Sequence, residues 1–180
     1  KGFGIGNMKE GIIAAGSVLH YLSETEHKEL SHVAHLSRIE EEHYVWLDKF
    51  TIRNLELVFP QHESGVPLID ILDHTQTPMG GRLLRRWMVL PLKDKKAIDE
   101  RLEVVSGLKA DKELMDDLQQ NMRLIGDLER LISKVAARRI NPRELMALKR
   151  ALDYLIPIKA TLASTSSKYL QSFADRINLC

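Results

Sequence analysis

The feature that most constrains this chain is a long series of apolar residues spaced three and four apart, broken at intervals by helix-start and helix-stop residues. That spacing puts side chains on one face of an α-helix, so the chain is expected to be mainly α, a helical bundle core. The breaks are specific. Thr77-Pro78 reads as an N-cap followed by proline at the first helical position, where a missing N–H costs nothing. Met79, Leu83, Trp87 and Leu90 then line one face; Leu84 and Met88 widen it, which predicts a largely buried helix that ends at Pro91. Asn141-Pro142-Arg143-Glu144 combines an Asn cap, proline and a glutamate able to reach back to the cap. Leu145, Leu148, Leu152 and Leu155 follow it, and Pro157 kinks or ends that helix.

Between these starts, Asp94 can cap a helix with the stripe Ile98, Leu102, Val105 and Leu108. Asp111 can cap another with Leu114, Leu118, Met122 and Ile125. Gly126-Asp127 reads as a break before Leu128, Leu131, Ile132 and Val135. Ser164–Ser167 is a polar interruption before Tyr169, Leu170, Phe173 and Ile177. Upstream, Met8, Ile12, Ala15, Leu19 and Leu22 predict an amphipathic helix over 7–22, and Leu30, Val33 and Leu36 hint at a short one. The period changes at Tyr44–Leu47 and Leu55–Phe59, two runs rich in aromatic and branched residues. These predict a small two-stranded β element near residues 44–59, joined by a turn at Lys49–Asn54. Leu68–Leu72 reads as one apolar turn of helix.

Composition narrows the function classes. Aromatic residues make up 6% of the chain and the net charge is +1, so no global basic field points to nucleic acid. A single cysteine, Cys180, excludes an internal disulfide. No apolar run approaches membrane-spanning length, so no membrane partner is expected. The absence of an initiator Met, and an amphipathic run that reaches Cys180 without a stop signal, lead us to expect a longer parent polypeptide.

Catalytic chemistry finds no foothold. No G-x-x-x-x-G-K-[ST] occurs, and the glycines of Gly2-Phe3-Gly4-Ile5-Gly6 lack dinucleotide spacing and a preceding strand. His27, His32, His35, His43 and Glu40–Glu42 lie near one another in sequence, but no cysteine and no H-E-x-x-H accompany them, and a solvated helix face explains them better. No serine stands in a G-x-S-x-G elbow, and Asp116-Asp117 diverge on a helix surface. No catalytic, cofactor-binding or metal-ligating residue is therefore assigned. What remains is basic. Arg82, Arg85 and Arg86 share a helix arc, where pairing with Asp73, Asp127 or Glu129 is favoured over a phosphate contact. Arg138, Arg139 and Arg143 surround a helix junction, where guanidinium groups could satisfy the last carbonyls.

Three ordered stretches carry a resemblance. Asp48-Lys49-Phe50-Thr51-Ile52-Arg53-Asn54-Leu55-Glu56-Leu57 is similar to the D-x-x-T-x-R-N-L-E-L signature that opens the core domain of the MutS family of DNA mismatch repair proteins. Leu72-Asp73-His74-Thr75-Gln76-Thr77-Pro78-Met79-Gly80-Gly81-Arg82-Leu83-Leu84-Arg85-Arg86-Trp87, with Pro91-Leu92, resembles that family's second core motif. Asp127-Leu128-Glu129-Arg130-Leu131, then Pro142-Arg143 and Leu145, resembles its third.

The resemblance implies that residues 1–43 are the end of a connector domain with its exit helix. Residues 44–180 would be the proximal part of the core, leading into the lever helices. It implies a scaffold and allosteric transmitter, not an enzyme in itself, inside a parent that is a DNA-dependent ATPase using ATP and Mg²⁺. The implied partners are mismatched duplex DNA, a second MutS subunit and downstream repair factors, in a bacterial cytoplasm and at the nucleoid. This segment itself would bind DNA weakly or not at all. The candidate structural and transmission residues are Arg53, Glu56, Asp73, Arg82, Arg85, Arg86, Asp127, Glu129, Arg130 and Arg143. Two competing readings are a free-standing helical protein-interaction scaffold and the core of a MutS paralogue outside mismatch repair.

Overall fold

The computed structural model describes residues 8–25, 33 and 43–179. The glycine cluster at 2–6, Cys180 and nearly all of the histidine-rich stretch fall outside these residues, as does the hinted helix around Leu30–Leu36 apart from Val33. The described chain forms ten helices: α1 Lys9–Glu24, α2 Lys49–Asn54, α3 Leu68–Leu72, α4 Pro78–Val89, α5 Lys95–Ala110, α6 Lys112–Ile125, α7 Leu128–Ala136, α8 Pro142–Asp153, α9 Leu155–Ala163 and α10 Lys168–Arg176.

The caps read from the sequence are made. Thr77 accepts from the Gly80 N–H at 3.0 Å, Asp111 from Leu114 at 2.9 Å, and Asp94 from Lys96 at 2.7 Å. Asn141 and Glu144 form the reciprocal capping box. Gly126 takes φ +68° and breaks the chain between α6 and α7, a conformation open to glycine because it has no Cβ. The Pro157 expectation sharpens: α8 stops at Asp153, and Pro157 sits in the first turn of α9, where its missing N–H would have had no helical partner.

The core lies among α6, α8, α9 and α10. Leu118, Ile125, Ala151, Ile158, Leu162, Leu170 and Ala174 are buried there, with Val104 and Leu108 of α5 packed against them. Ala151 is 1% exposed on a face where sequence periodicity points to leucines. A small side chain there lets α8 approach its neighbours closely, as ridge-and-groove packing requires. The expected α5 stripe is rotated: Leu108 packs on the core, while Ile98, Leu102 and Val105 are exposed.

Two further expectations need correction. No two-stranded β element forms near residues 44–59 among the described residues. Asp48 accepts from the Thr51 N–H at 2.6 Å and nucleates α2, so the expected turn is a short helix. Tyr44 instead makes an isolated antiparallel bridge with Leu92. The second run cannot extend, because Glu56 takes φ +47°. The Glu56 and Leu57 carbonyls then accept the Leu68 and Ile69 N–H groups of α3, at 2.9 and 3.0 Å. Nor is α4 largely buried. None of its residues is fully buried; Leu84 is half-buried and Leu83 is 47% exposed.

Candidate functional site

The three motifs become three pieces of local geometry joined by side-chain bonds. In the first, Asp48 caps α2, and the Thr51 N–H that it accepts pulls its carboxyl below the usual range. Glu56, turned by its positive φ, accepts from the Gln61 N–H at 2.7 Å and so braces the loop after Pro60. The Arg53 carbonyl accepts from the Glu56 N–H and from Gln61 Nε2, at 3.0 and 3.4 Å, while its own residue stays exposed.

The second motif is a tight lead into α4. Asp73 accepts from both the Thr75 hydroxyl and the Thr75 N–H, at 2.6 and 3.0 Å; the two bonds lower its carboxyl pKa, and the charge of Arg85 adds to them. A Cβ on Gly81 would stand 3.2 Å from the Asp73 carboxylate, so glycine lets the helix lie close against this loop. Arg82 then projects from the first turns of α4 to α7. Its Nη1 and Nη2 donate to the two Asp127 oxygens at 2.9 and 2.7 Å. Its Nε and Nη2 donate to Glu129 Oε2 at 3.1 and 2.6 Å.

The third motif supplies both acceptors. Asp127 caps α7 by accepting from the Arg130 N–H and is at the same time the bidentate partner of Arg82. Bidentate guanidinium–carboxylate pairing fixes orientation as well as charge. Each partner records it. The hydrogen bonds to Asp127, then Glu129, raise the Arg82 pKa, and the Arg82 bond chiefly holds Asp127 below the usual carboxylate range. Further along, Lys134 of α7 pairs with Glu144, the capping-box residue of α8, and that bond lowers the Glu144 pKa.

The candidate residues therefore divide. Arg82, Asp127 and Glu129 are brought together, with the Arg130 N–H on Asp127, while Asp73 serves the loop before α4 by holding Thr75. Arg53 and Glu56 serve the first motif's own loop. Among the described residues, neither Arg85 nor Arg86 reaches a carboxylate within ion-pair distance, and Arg143 lies exposed in the first turn of α8. At the junction before α8, the Arg138 and Arg139 backbone N–H groups donate to the Val135 and Lys134 carbonyls at 2.9 and 2.8 Å.

Two participants escaped sequence reasoning. Arg123 donates from Nε to Gln76 Oε1 at 2.5 Å, and the Arg101 guanidinium stacks 3.7 Å above the Trp87 ring. Trp87 announces that a partner could exist, but no spacing in the chain identifies it. Among the described residues, no group of His, Cys, Asp and Glu is placed to hold a metal, and no helix is long and apolar enough to cross a membrane.

This arrangement can do mechanical work. Exposed charge pairs tie one helix to a bundle that is held by other means. Comparisons with known proteins agree in where they fall. Residues 50–179 match the family MutS domain III. Over its full length the chain is 59% identical to the DNA mismatch repair protein MutS of Cytophaga hutchinsonii, 48% to that of Flavobacterium johnsoniae and 46% to that of Phocaeicola vulgatus. It spans 21% of the length of each of these relatives. With a family match from Phe50 to Leu179 and such identity from end to end, the chain belongs to the MutS family and carries its domain III.

Proposed function

We propose that this chain is the core segment of a mismatch-recognition protein and that it transmits between the parent's DNA-binding and ATPase parts. Residues 1–43 would be the end of the connector, and 44–180 the proximal core leading to the lever. The parent would bind mismatched duplex as a dimer in the cytoplasm and hydrolyse ATP with Mg²⁺. That chemistry is assigned to the rest of the parent, since this chain carries no phosphate-binding loop sequence. Full-length identity to proteins named as MutS disfavours a free-standing scaffold.

The observation that carries the transmission role is the Arg82 bridge to Asp127 and Glu129. It joins residues 45 and 47 positions apart through exposed groups, and it ties α4 to a helix of the bundle. Transmission needs an element with two packings of similar free energy, each favoured by a different ligand state. An exposed pair of this kind contributes little net stability, so a modest push from either site can break it. The test is Arg82→Ala in the full-length protein. Mismatch affinity and basal ATP turnover should each stay near wild type, while ATP-triggered release from mismatched duplex slows. Release at the wild-type rate would refute the role.

A further inference from the structure

Arg123 lies outside all three motifs, on the exposed side of α6. Its Nε donates to Gln76 Oε1 at 2.5 Å, while Gln76 Nε2 donates to the His74 carbonyl at 2.9 Å. Both ends of the Gln76 amide are thereby engaged, one of them by the helix at the centre of the bundle.

We propose that Arg123 is a positioning residue: with Gln76 it forms the second point of a two-point clasp that makes residues 73–90 a single strap on the bundle. The first point is Arg82 on Asp127 and Glu129. Little slack lies between the two points. Asp73 holds Thr75, Thr77 caps Gly80, and Gly81 lets the helix press against the Asp73 carboxylate. A segment so braced cannot lift at Gln76 without pulling on Arg82. The strap has few other holds, the main one being the Arg101 guanidinium 3.7 Å above the Trp87 ring. No α4 side chain is fully buried, and of its residues only Met79 lies against the core cluster. Sparse burial and exposed polar ties put a segment at the low end of local stability. The clasp follows from geometry alone; its bearing on mismatch repair rests on the transmission role proposed above.

Amide hydrogen exchange on this chain tests the clasp, with Gln76→Ala, Arg123→Ala, Arg82→Ala and the Gln76→Ala/Arg82→Ala pair. Arg123→Ala is expected to raise exchange along the whole of Pro78–Val89 by about two- to fivefold, the range for losing one exposed charge-assisted bond. Gln76→Ala should match it, and the double variant should show the product of its two single effects. Residues 142–176 should be unchanged. A rise confined to 73–77, or an equal rise in 142–176, overturns the proposal. A second arm asks whether Arg123→Ala in the full-length protein slows ATP-triggered release by about twofold or more. If exchange behaves as stated and release does not change, the clasp stands and the transmission role falls.

Discussion

Residues 112–176 and residues 44–90 differ in what holds them. In the first region, seven side chains from α6, α8, α9 and α10 are withdrawn from water and pack on one another. In the second, only Val58, Pro67 and Ile69 among the apolar residues are buried, and α4 is fastened by Arg82, Gln76 with Arg123, and Trp87 beneath Arg101. Burial of apolar surface is non-directional and cooperative, so the first region should behave as a block. Exposed ion pairs are directional, individually weak and sensitive to salt, so the second can change partners without unfolding. On the transmission role proposed above, scaffold and moving part would be separated within one chain by the kind of interaction each uses.

The largest test of that contrast is a matched truncation. Leu170→Ala removes a side chain that is 3% exposed in the bundle, and should cost roughly 2–5 kcal/mol in a urea titration. Leu84→Ala, on the half-buried face of α4, should cost only about 1–2 kcal/mol. Equal losses would erase the distinction. By the same logic, Leu84→Asp should loosen α4 before it unfolds the bundle.

Gly126→Ala comes next. A Cβ at Gly126 meets nothing within 4 Å, so only its φ of +68° matters. The loss should be about 1–3 kcal/mol, the cost of a backbone conformation that L-residues avoid. A loss near zero in the thermal melt would mean that the α6–α7 break can relax, and that the spacing of Asp127 from the bundle is not held by the backbone.

The legible parts of this fold were those that short-range rules decide. Thr77-Pro78 and Asn141-Pro142 declared helix starts because capping needs only the next three residues. What escaped depends on distant atoms. The runs at 44–47 and 55–59 have strand-like composition, yet Asp48 reaching Thr51 made the connection between them a helix, and the positive φ of Glu56 kept the second run from extending. The inward face of α5 was decided by what α10 presents: the Leu170 side chain would lie 3.5 Å from a Cβ on Gly107. Of the candidate site, Arg82 with Asp127 and Glu129 could be anticipated as a pairing of types. Arg123 could not, because a lone arginine on a polar arc looks like any solvated residue.

A smaller effect concerns pH. Asp127 is held below its ordinary pKa chiefly by Arg82, so its contribution is present above the unfolded-state value and is lost as pH falls through the folded one. Acidification below the usual carboxylate range should therefore release α4 from α7. By NMR titration, Arg82→Ala should move the Asp127 midpoint upward towards the ordinary carboxylate value; an unmoved midpoint would detach Arg82 from Asp127 in solution.

The most direct measurement is amide exchange on the full-length protein in two states, bound to mismatched duplex alone and bound with ATP added. Protection of residues 73–90 should differ between the two states, while that of residues 142–176 stays the same. Identical exchange of 73–90 in both states would contradict the transmission role.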